Sequence, residues 1–236
     1  MTMPNSLGER MKSNYELRDR HYLTRRTPVI VRVDGRAFHT LTRGYDKPFD
    51  GKFIESMVIS AMELFGDMQG CKLAYVQSDE ASFVLTDYDN LQTEGWFNYN
   101  QSKIESVAAS RMTMAFNRCQ RLCDRDAWAM FDARAFNIPE AEVANYFLWR
   151  AQDWHRNSVT MFAQAEFSHK ELHGKTCTDM HEMLHGVGKN WAHRFDVEKN
   201  GTFLARLEGE VVISETIPPK WQPIEDLWLA ASPEEI

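Results

Sequence analysis

Three acidic residues stand where short apolar runs stop: TPVIVRVDG reaches Asp34, CKLAYVQSDE ends on Asp79 and Glu80, and ASFVLTD begins directly after them. The alternation of these runs and their β-branched and aromatic content predict strands over 28–34, 72–78 and 82–87. Asp34 then closes one strand, and Asp79 with Glu80 sits at the tip of a hairpin. The helical stretch between the first two strands allows a parallel crossover that returns the chain beside its start, so the carboxylates converge. Hard divalent cations such as Mg²⁺ are bound in such places by one or two carboxylates together with substrate phosphates. Two cations there perform phosphoryl or nucleotidyl transfer. Asp-Gly and Ser-Asp are also ordinary turn chemistry, and a single such site implies nothing more.

The elements that must position these acids follow from periodicity. Residues 48–66 open on proline and set Phe49, Phe53, Met57, Ala61 and Phe65 at i+4 intervals, an amphipathic helix ending at Gly66. A second helix over 101–124 places Ile104, Val107, Ala108, Arg111, Ala115 and Leu122 largely on one face, and 127–138 returns to strand chemistry. The order β-α-β-β-α-β is that of the split ferredoxin-like unit, an α+β architecture shared by unrelated activities. Residues 1–138 form the catalytic unit in this reading. Residues 139–236 form a helical and short-strand extension packed on it, the whole making one compact domain. The extension begins with a helix from Pro139 to about residue 167; GTFLARLEG and VVISE follow as one or two edge strands, and the acidic, Pro-containing end reads as an exposed tail.

A chain of 236 residues with 43% hydrophobic content buries a core of its own. Its formal charge of −7 excludes a protein that coats nucleic acid non-specifically, since that affinity comes from many Lys and Arg contacts to phosphates. Local basic clusters remain, at Arg18, Arg20, His21, Arg25 and Arg26 and at Arg118, Arg121 and Arg125. The N-terminus lacks a signal-peptide apolar region and no run has the length to cross a bilayer, so a cytoplasmic protein is expected. Cys71, Cys119, Cys123 and Cys177 form no C-x-x-C pair and read as reduced core thiols.

The blocks LGERMKSNYE, VIVRVDGRAFH, DKPFD, YVQSDEASFV, SKIESVAAS, FDAR, YFLWRAQDWHRNS and GKN occur in an order that resembles the histidine-tRNA guanylyltransferase family and its Thg1-like relatives, over about residues 7–206. The resemblance implies a polymerase-like palm that adds nucleotides to tRNA 5′ ends in the 3′-to-5′ direction. ATP activates the 5′ phosphate, and the 3′-hydroxyl of an incoming nucleoside triphosphate, GTP or another, attacks it. By motif, Asp34 and Asp79 hold two Mg²⁺ ions, the Gly35 carbonyl assists one of them, and Glu80 supports the site. Arg36, Phe38 and His39 resemble the nucleotide-facing part of the first motif, and Lys47, Ser78 and Lys103 resemble phosphate contacts. His155 and Asn157 belong on a helix facing the substrate, and Lys189 near a triphosphate or the tRNA end. Family members tend to form homotetramers that spread one tRNA across subunits.

Two departures bear on substrate choice. Asn100 and Gln101 stand where the family commonly carries arginines, and His155, Arg156, Asn157 and Ser158 replace the H-I-N-N pattern of the eukaryotic enzymes. Both favour template-dependent repair of 5′-truncated tRNAs over dedicated guanylate addition to histidine tRNA.

HEMLH at 181–185 competes as a zinc-protease motif, with His181, Glu182 and His185 on one helical face. Trp191 stands where a third histidine is needed. The helix is also short: Thr178 or Asp179 can cap it, Glu182 can close the capping box, and Gly186 stops it. His169, His173 and Cys177 recur every four residues but are interrupted by Gly174. A GGDEF-type cyclase shares the acidic hairpin, yet QSDEAS lacks the paired glycines. A non-catalytic tRNA-binding module has no use for carboxylates that repel phosphate. Zinc chemistry, cyclase and binding module therefore rank below nucleotidyl transfer.

Overall fold

A computed structural model of the chain describes residues 6–125 and 128–232. Six strands, β1 (Val29–Gly35), β2 (Cys71–Gln77), β3 (Glu80–Leu85), β4 (Phe131–Asn137), β5 (Thr202–Leu207) and β6 (Glu210–Ser214), form one antiparallel sheet in the order β4-β1-β3-β2-β5-β6. The helices of ten residues or more are α1 (Gly51–Asp67), α2 (Gln101–Leu122), α3 (Val143–Gln164), α4 (Cys177–Gly186) and α5 (Trp221–Ala231).

The crossover through α1 brings β2 back in the direction of β1 but not beside it, because β3 occupies the place between them and pairs with both. β3 also begins earlier than expected. Gln77 pairs with Glu80, so only Ser78 and Asp79 make the turn, and Glu80 is a strand residue rather than a tip residue. Asp50 rather than Pro48 marks the start of α1, its carboxylate accepting from the Phe53 N–H at 2.8 Å. Asparagine and aspartate are favoured caps because a short acceptor reaches the free amides of the first turn. Asn100 does the same for α2, accepting from Lys103 N–H at 3.1 Å. The sequence departure at Asn100 thus has a structural use here. The segment expected to return to strand at 127 becomes strand only at Phe131, and Asp126 and Ala127 lie outside the described residues.

Alternation along the strands divides the core. Val29, Val31, Val33, Ala74, Val76, Phe83 and Leu204 face α1 and α2, meeting Met57, Leu64, Phe65, Ile104, Met112 and Phe116. Ile30, Leu73, Tyr75, Val84 and Phe203 face α3 and α5, meeting Ala144, Phe147, Ile224 and Trp228. Beyond the sheet, the second half of α3 packs with α4 through Trp154, Val159, Phe162, Leu184 and Trp191. All four cysteines are free thiols, two of them buried. Among the described residues no helix is long and apolar enough to cross a membrane.

The C-terminal part departs most from expectation. β5 is an interior strand paired to β2 and β6, leaving β6 as the edge. The expected tail contains α5, whose Ile224, Trp228 and Ala231 are buried on the sheet. Pro223 falls in the first turn, where a missing N–H costs nothing, and the spacing of Ile224 and Trp228 is helical. Trp228→Ala should therefore destabilise the fold by about 3–5 kcal/mol in urea titration; wild-type stability would mean that α5 does not carry load.

Candidate active site

The rim of the sheet where β1 ends and β2 turns into β3 collects the acidic residues. Gly35 N–H donates to the Asp79 carbonyl at 2.9 Å. A Cβ at Gly35 would stand 2.4 Å from Phe38 Cδ2 and 2.9 Å from Asp79 Cβ, so the hairpin turn can sit this close only against a glycine. The turn is tight, with Ser78 at φ 48°, and the chain leaving β1 bends back through Ala37 at φ 56° into a short helix, Phe38–Leu41.

Two hollows meet at this turn. The first is a cavity of about 400 Å³ whose wall includes Gly35, Phe38, His39, Lys47, Ser78 and Asp79. The second is an open cleft under α3 that brings Asp34, Ser78, Asp79 and Glu80 together with Arg150, Asp153 and Asn157. Gln77, Ser78, Asp79, Trp154 and Met161 border both. His39 and Lys47 are exposed at the cavity wall. Phe38 is 4% exposed and packs against Phe131 at 5.0 Å and Phe116 at 5.5 Å between centroids, which makes it a wall anchored in the core. Arg36 is exposed and borders neither hollow.

The acids differ in what holds them. Glu80 is buried, and both its oxygens accept from Arg150, at 2.7 and 2.8 Å. Arg32 lies between Glu80 and Asp34, 3.6 Å from each, and Arg150 also stands 3.5 Å from Asp153. Glu80 is thus committed to an internal ion pair, whereas Asp34 keeps 33% of its side chain exposed. Burial pushes the Asp79 carboxyl above the usual carboxylate range, and the charges of Asp34 and Glu80 push it the same way. A cation would relieve that crowding. Two carboxylates and a backbone carbonyl at an open rim form a hard, oxygen-only donor set of the kind Mg²⁺ takes while keeping water and phosphate ligands. Among the described residues no three His, Cys, Asp or Glu side chains are grouped to hold a metal unaided. Arg150, Asp153 and Arg32 were not singled out from sequence; an arginine in a helix that otherwise buries Tyr146, Phe147 and Ala151 was the available signal.

Three expected residues lie elsewhere. Lys103 is in the first turn of α2, over the Phe97 ring, at the sheet end where Gln101 holds the Ala135 carbonyl. That is the end opposite Gly35, which pairs with Phe131. His155 and Asn157 take different sides of α3: Asn157 borders the cleft, while His155 packs edge-on against Trp191 at 4.7 Å. Burial and the neighbouring His181 and Lys199 lower the His155 pKa. Lys189 pairs with Glu166 at 3.3 Å and borders a surface hollow with His181, Glu182 and His185. The helix of that HEMLH segment is capped by Thr176, with Asp179 closing the capping box, two and three residues ahead of the expected Thr178 and Glu182. Several expected basic-patch residues are engaged in ion pairs within the chain, as in Arg125 with Asp50 at 2.7 and 3.0 Å, Arg118 with Glu63, and Arg25 with Asp87.

An α+β sheet that sets carboxylates at its rim beside a cavity suits a nucleotidyl-transferring enzyme. The family model for Thg1, tRNAHis guanylyltransferase, matches residues 8–139, and the chain belongs to this family of nucleotidyltransferases. A solved bacterial tRNA(His) guanylyltransferase (Thg1)-like protein in complex with ATP is 41% identical with a TM-score of 0.90, covering 96% of this chain and 100% of its own. A bacterial Thg1-like protein in complex with GTP is 37% identical with a TM-score of 0.82, over the same 96% and 100%. The probable tRNA(His) guanylyltransferase of Dictyostelium discoideum is 30% identical over 227 residues, 91% of this chain and 85% of the relative.

The Glu80–Arg150 pair yields a stability test. Arg150→Met should cost about 3–5 kcal/mol by leaving a buried carboxylate with only Arg32 at 3.6 Å, and adding Glu80→Leu should restore most of that loss. A double-mutant cycle in urea measures it; strictly additive losses would show that the two groups do not depend on each other.

Proposed function

We propose that this chain is a tRNA 5′-end nucleotidyltransferase working in the 3′-to-5′ direction, chiefly by templated repair. The observation that carries the reading is the meeting of Asp34 and Asp79 in the open cleft that adjoins, through Ser78 and Asp79, the cavity bordered by His39 and Lys47. Relatives of this chain with ATP and with GTP support nucleoside triphosphates as its substrates. In this reading β1 to β4 with α1 and α2 form a ferredoxin-like palm over residues 1–138. Residues 139–236 extend the same sheet and roof the rim with α3.

Asp34, Asp79 and the Gly35 carbonyl are the groups that would hold two Mg²⁺ ions. Bound there, the cations neutralise triphosphate charge and lower the pKa of the attacking hydroxyl. The residues of the chain do the rest. Gly35 seats the turn so that the two carboxylates face a common space. Arg150 takes up the charge of Glu80, leaving the ligand pair as the free negative charge of the cleft. Lys47 and His39 meet phosphate at the cavity wall, lysine as a point charge. Asn157 orients the 5′ end in the open cleft. A 5′-phosphate oxygen attacks the α-phosphorus of ATP and displaces pyrophosphate; the 3′-hydroxyl of the incoming triphosphate then attacks the activated phosphate and displaces AMP.

Lys103, His155 and Lys189 lie away from both hollows of one chain, so their contribution falls on the body of the tRNA spread over a homotetramer in the cytoplasm. Templated addition suits Asn100 and Gln101, which serve as a helix cap and a backbone clamp. Pairing to the opposite strand supplies selectivity, and the protein needs only shape and phosphate contacts.

Asp34→Ala and Asp79→Ala should each lower nucleotide addition by roughly two to three orders of magnitude or more while leaving thermal stability near wild type. Near-normal rates in both variants would remove the metal assignment. For specificity, the pure protein is incubated with ATP, GTP, the other triphosphates, Mg²⁺ and 5′-monophosphorylated tRNAs, intact and lacking the first residue. The expected product is the truncated tRNA restored by whichever nucleotide pairs with the 3′ strand. Guanylate added to intact histidine tRNA regardless of the opposing base, with no repair, would assign the other branch of the family.

A further inference from the structure

The face of β4 on the α3 side of the sheet is open. Its residues pair with the strand that carries Asp34: Asp132 with Asp34, Arg134 with Arg32 and Phe136 with Ile30, so all three share the face on which Asp34 lies. α3 packs over Ile30, Leu73 and Val84, and on the edge strand beside it Asp132, Arg134 and Phe136 are exposed. Phe136 is 36% exposed and Trp149, from α3, 52%. Tyr146 is buried between them, edge-on to both, its ring centre 6.0 Å from Phe136 and 5.9 Å from Trp149, and its hydroxyl meets Ser82 Oγ at 3.0 Å. The Arg150 guanidinium, fixed by Glu80, lies 4.6 Å from the centre of the Trp149 ring. Two rings open to solvent are thus held in place by buried neighbours.

The arginines of this face are held loosely. Arg32 and Arg134 stand directly opposite each other across the β1–β4 pair, and like charges so placed repel. Arg32 comes only within 3.6 Å of Asp34 and of Glu80, its buried Nε without a hydrogen-bond partner among the described residues, and Arg134 stands 3.5 Å from Asp132. Charge-assisted hydrogen bonds are shorter, as those from Arg150 to Glu80 at 2.7 and 2.8 Å are. An anion at Arg134 would relieve the repulsion.

We propose that this shelf holds the unpaired 3′ strand of the tRNA acceptor end, its bases stacked on Trp149 and Phe136 and a phosphate on Arg134. The inference rests on the nucleotidyltransferase reading and names the surface that keeps the templating strand opposite the reacting 5′ end. Rings exposed on a sheet face with an arginine among them suit a single strand, because every base has a face to stack and only an unpaired one can reach them. A duplex would call for cations along its phosphates instead. From Asp132 to Phe136 the strand runs about 13 Å, roughly the length of four stacked nucleotides, so the shelf leads to the level of Asp34 at the rim. Asp132, at the rim end, repels phosphate, which sets the backbone contact at Arg134.

Fluorescence anisotropy on the full chain with Mg²⁺ compares two 5′-monophosphorylated tRNAs lacking the first residue, one complete at its 3′ end and one with the unpaired 3′ nucleotides removed. Wild type should bind the trimmed tRNA about tenfold more weakly or worse. Trp149→Leu should weaken the complete tRNA by about fivefold or more and leave the trimmed tRNA and ATP at wild-type affinity, while Trp149→Phe, which keeps a ring, should stay within about twofold of wild type. Phe136→Leu, in a different element, should behave like Trp149→Leu and carries the test should that variant fail to fold. Arg134→Gln should lower the slope of log affinity against log salt by about one on the complete tRNA alone. Equal binding of the two tRNAs by wild type would overturn the inference, and nucleotide addition in the same preparation would leave the underlying reading intact. Variant losses that are the same on both tRNAs would also overturn it, and a smaller assembly in sedimentation alongside them would give the shelf to a second copy of the chain. A chain that neither binds tRNA nor adds nucleotides would overturn both.

Discussion

The seat of the Ser78–Asp79 turn on Gly35 governs the rest of the site. One backbone bond of 2.9 Å fixes the end of β1 against the turn, and the clearance there admits no Cβ. That contact requires β3 to lie between β1 and β2, since only then does the β2–β3 turn emerge beside the end of β1. The hydrophobic alternation that buries Val29, Val31 and Val33 toward α1 and α2 sends Arg32 and Asp34 to the other face, under α3. A one-residue slip would exchange the faces and take Asp34 away from the cleft. Core register and site geometry are therefore one constraint.

Charge is distributed on the same principle. The acids Glu80, Asp50 and Asp87 are almost fully buried, and each is held by an arginine: Arg150, Arg125 and Arg25 respectively. Burying a carboxylate is unfavourable unless it is paired and hydrogen-bonded, and these are. Asp34 and Asp79 differ, the first having only Arg32 at 3.6 Å and the second a pKa raised by burial and its acidic neighbours. Repulsion concentrated at the rim supports the cation site proposed there. The same pairing draws on the arginine clusters of a chain of net charge −7, with Arg118 held by Glu63 and Arg125 by Asp50.

The sequence made the acidic strand ends, the three long helices and the first four strands legible, because period-2 and helical spacing are strong over those lengths. It misplaced β3 by two residues because Glu80 looks like a turn acid, while its burial depends on Arg150, seventy residues away in α3. Lateral strand order was not readable either, since alternation gives faces and not neighbours. β5 reads as an edge strand because nothing local announces the β2 partner that makes it interior. α5 was hidden by proline and acidic residues that suggest a tail, although its buried residues keep helical spacing. Phe38, quoted within a nucleotide-facing motif, serves the core as well, and no motif separates those two uses.

The fates of His155 and Asn157 show how a helix apportions function. Two residues apart on α3, they lie about 200° apart around its axis. The first half of the helix sits on the sheet through Phe147 and Ala151, which fixes its rotation. Past the rim the same rotation carries Asn157 and Met161 over the cleft and sends His155 toward Trp191 and α4. Trp154, between them in direction, closes the cavity from above and reaches the Phe49 ring. A motif of adjacent letters thus serves three surfaces, set by core residues one and two turns earlier. Altering the packing of Phe147 would rotate all three surfaces together, so the core of the extension bears on the site.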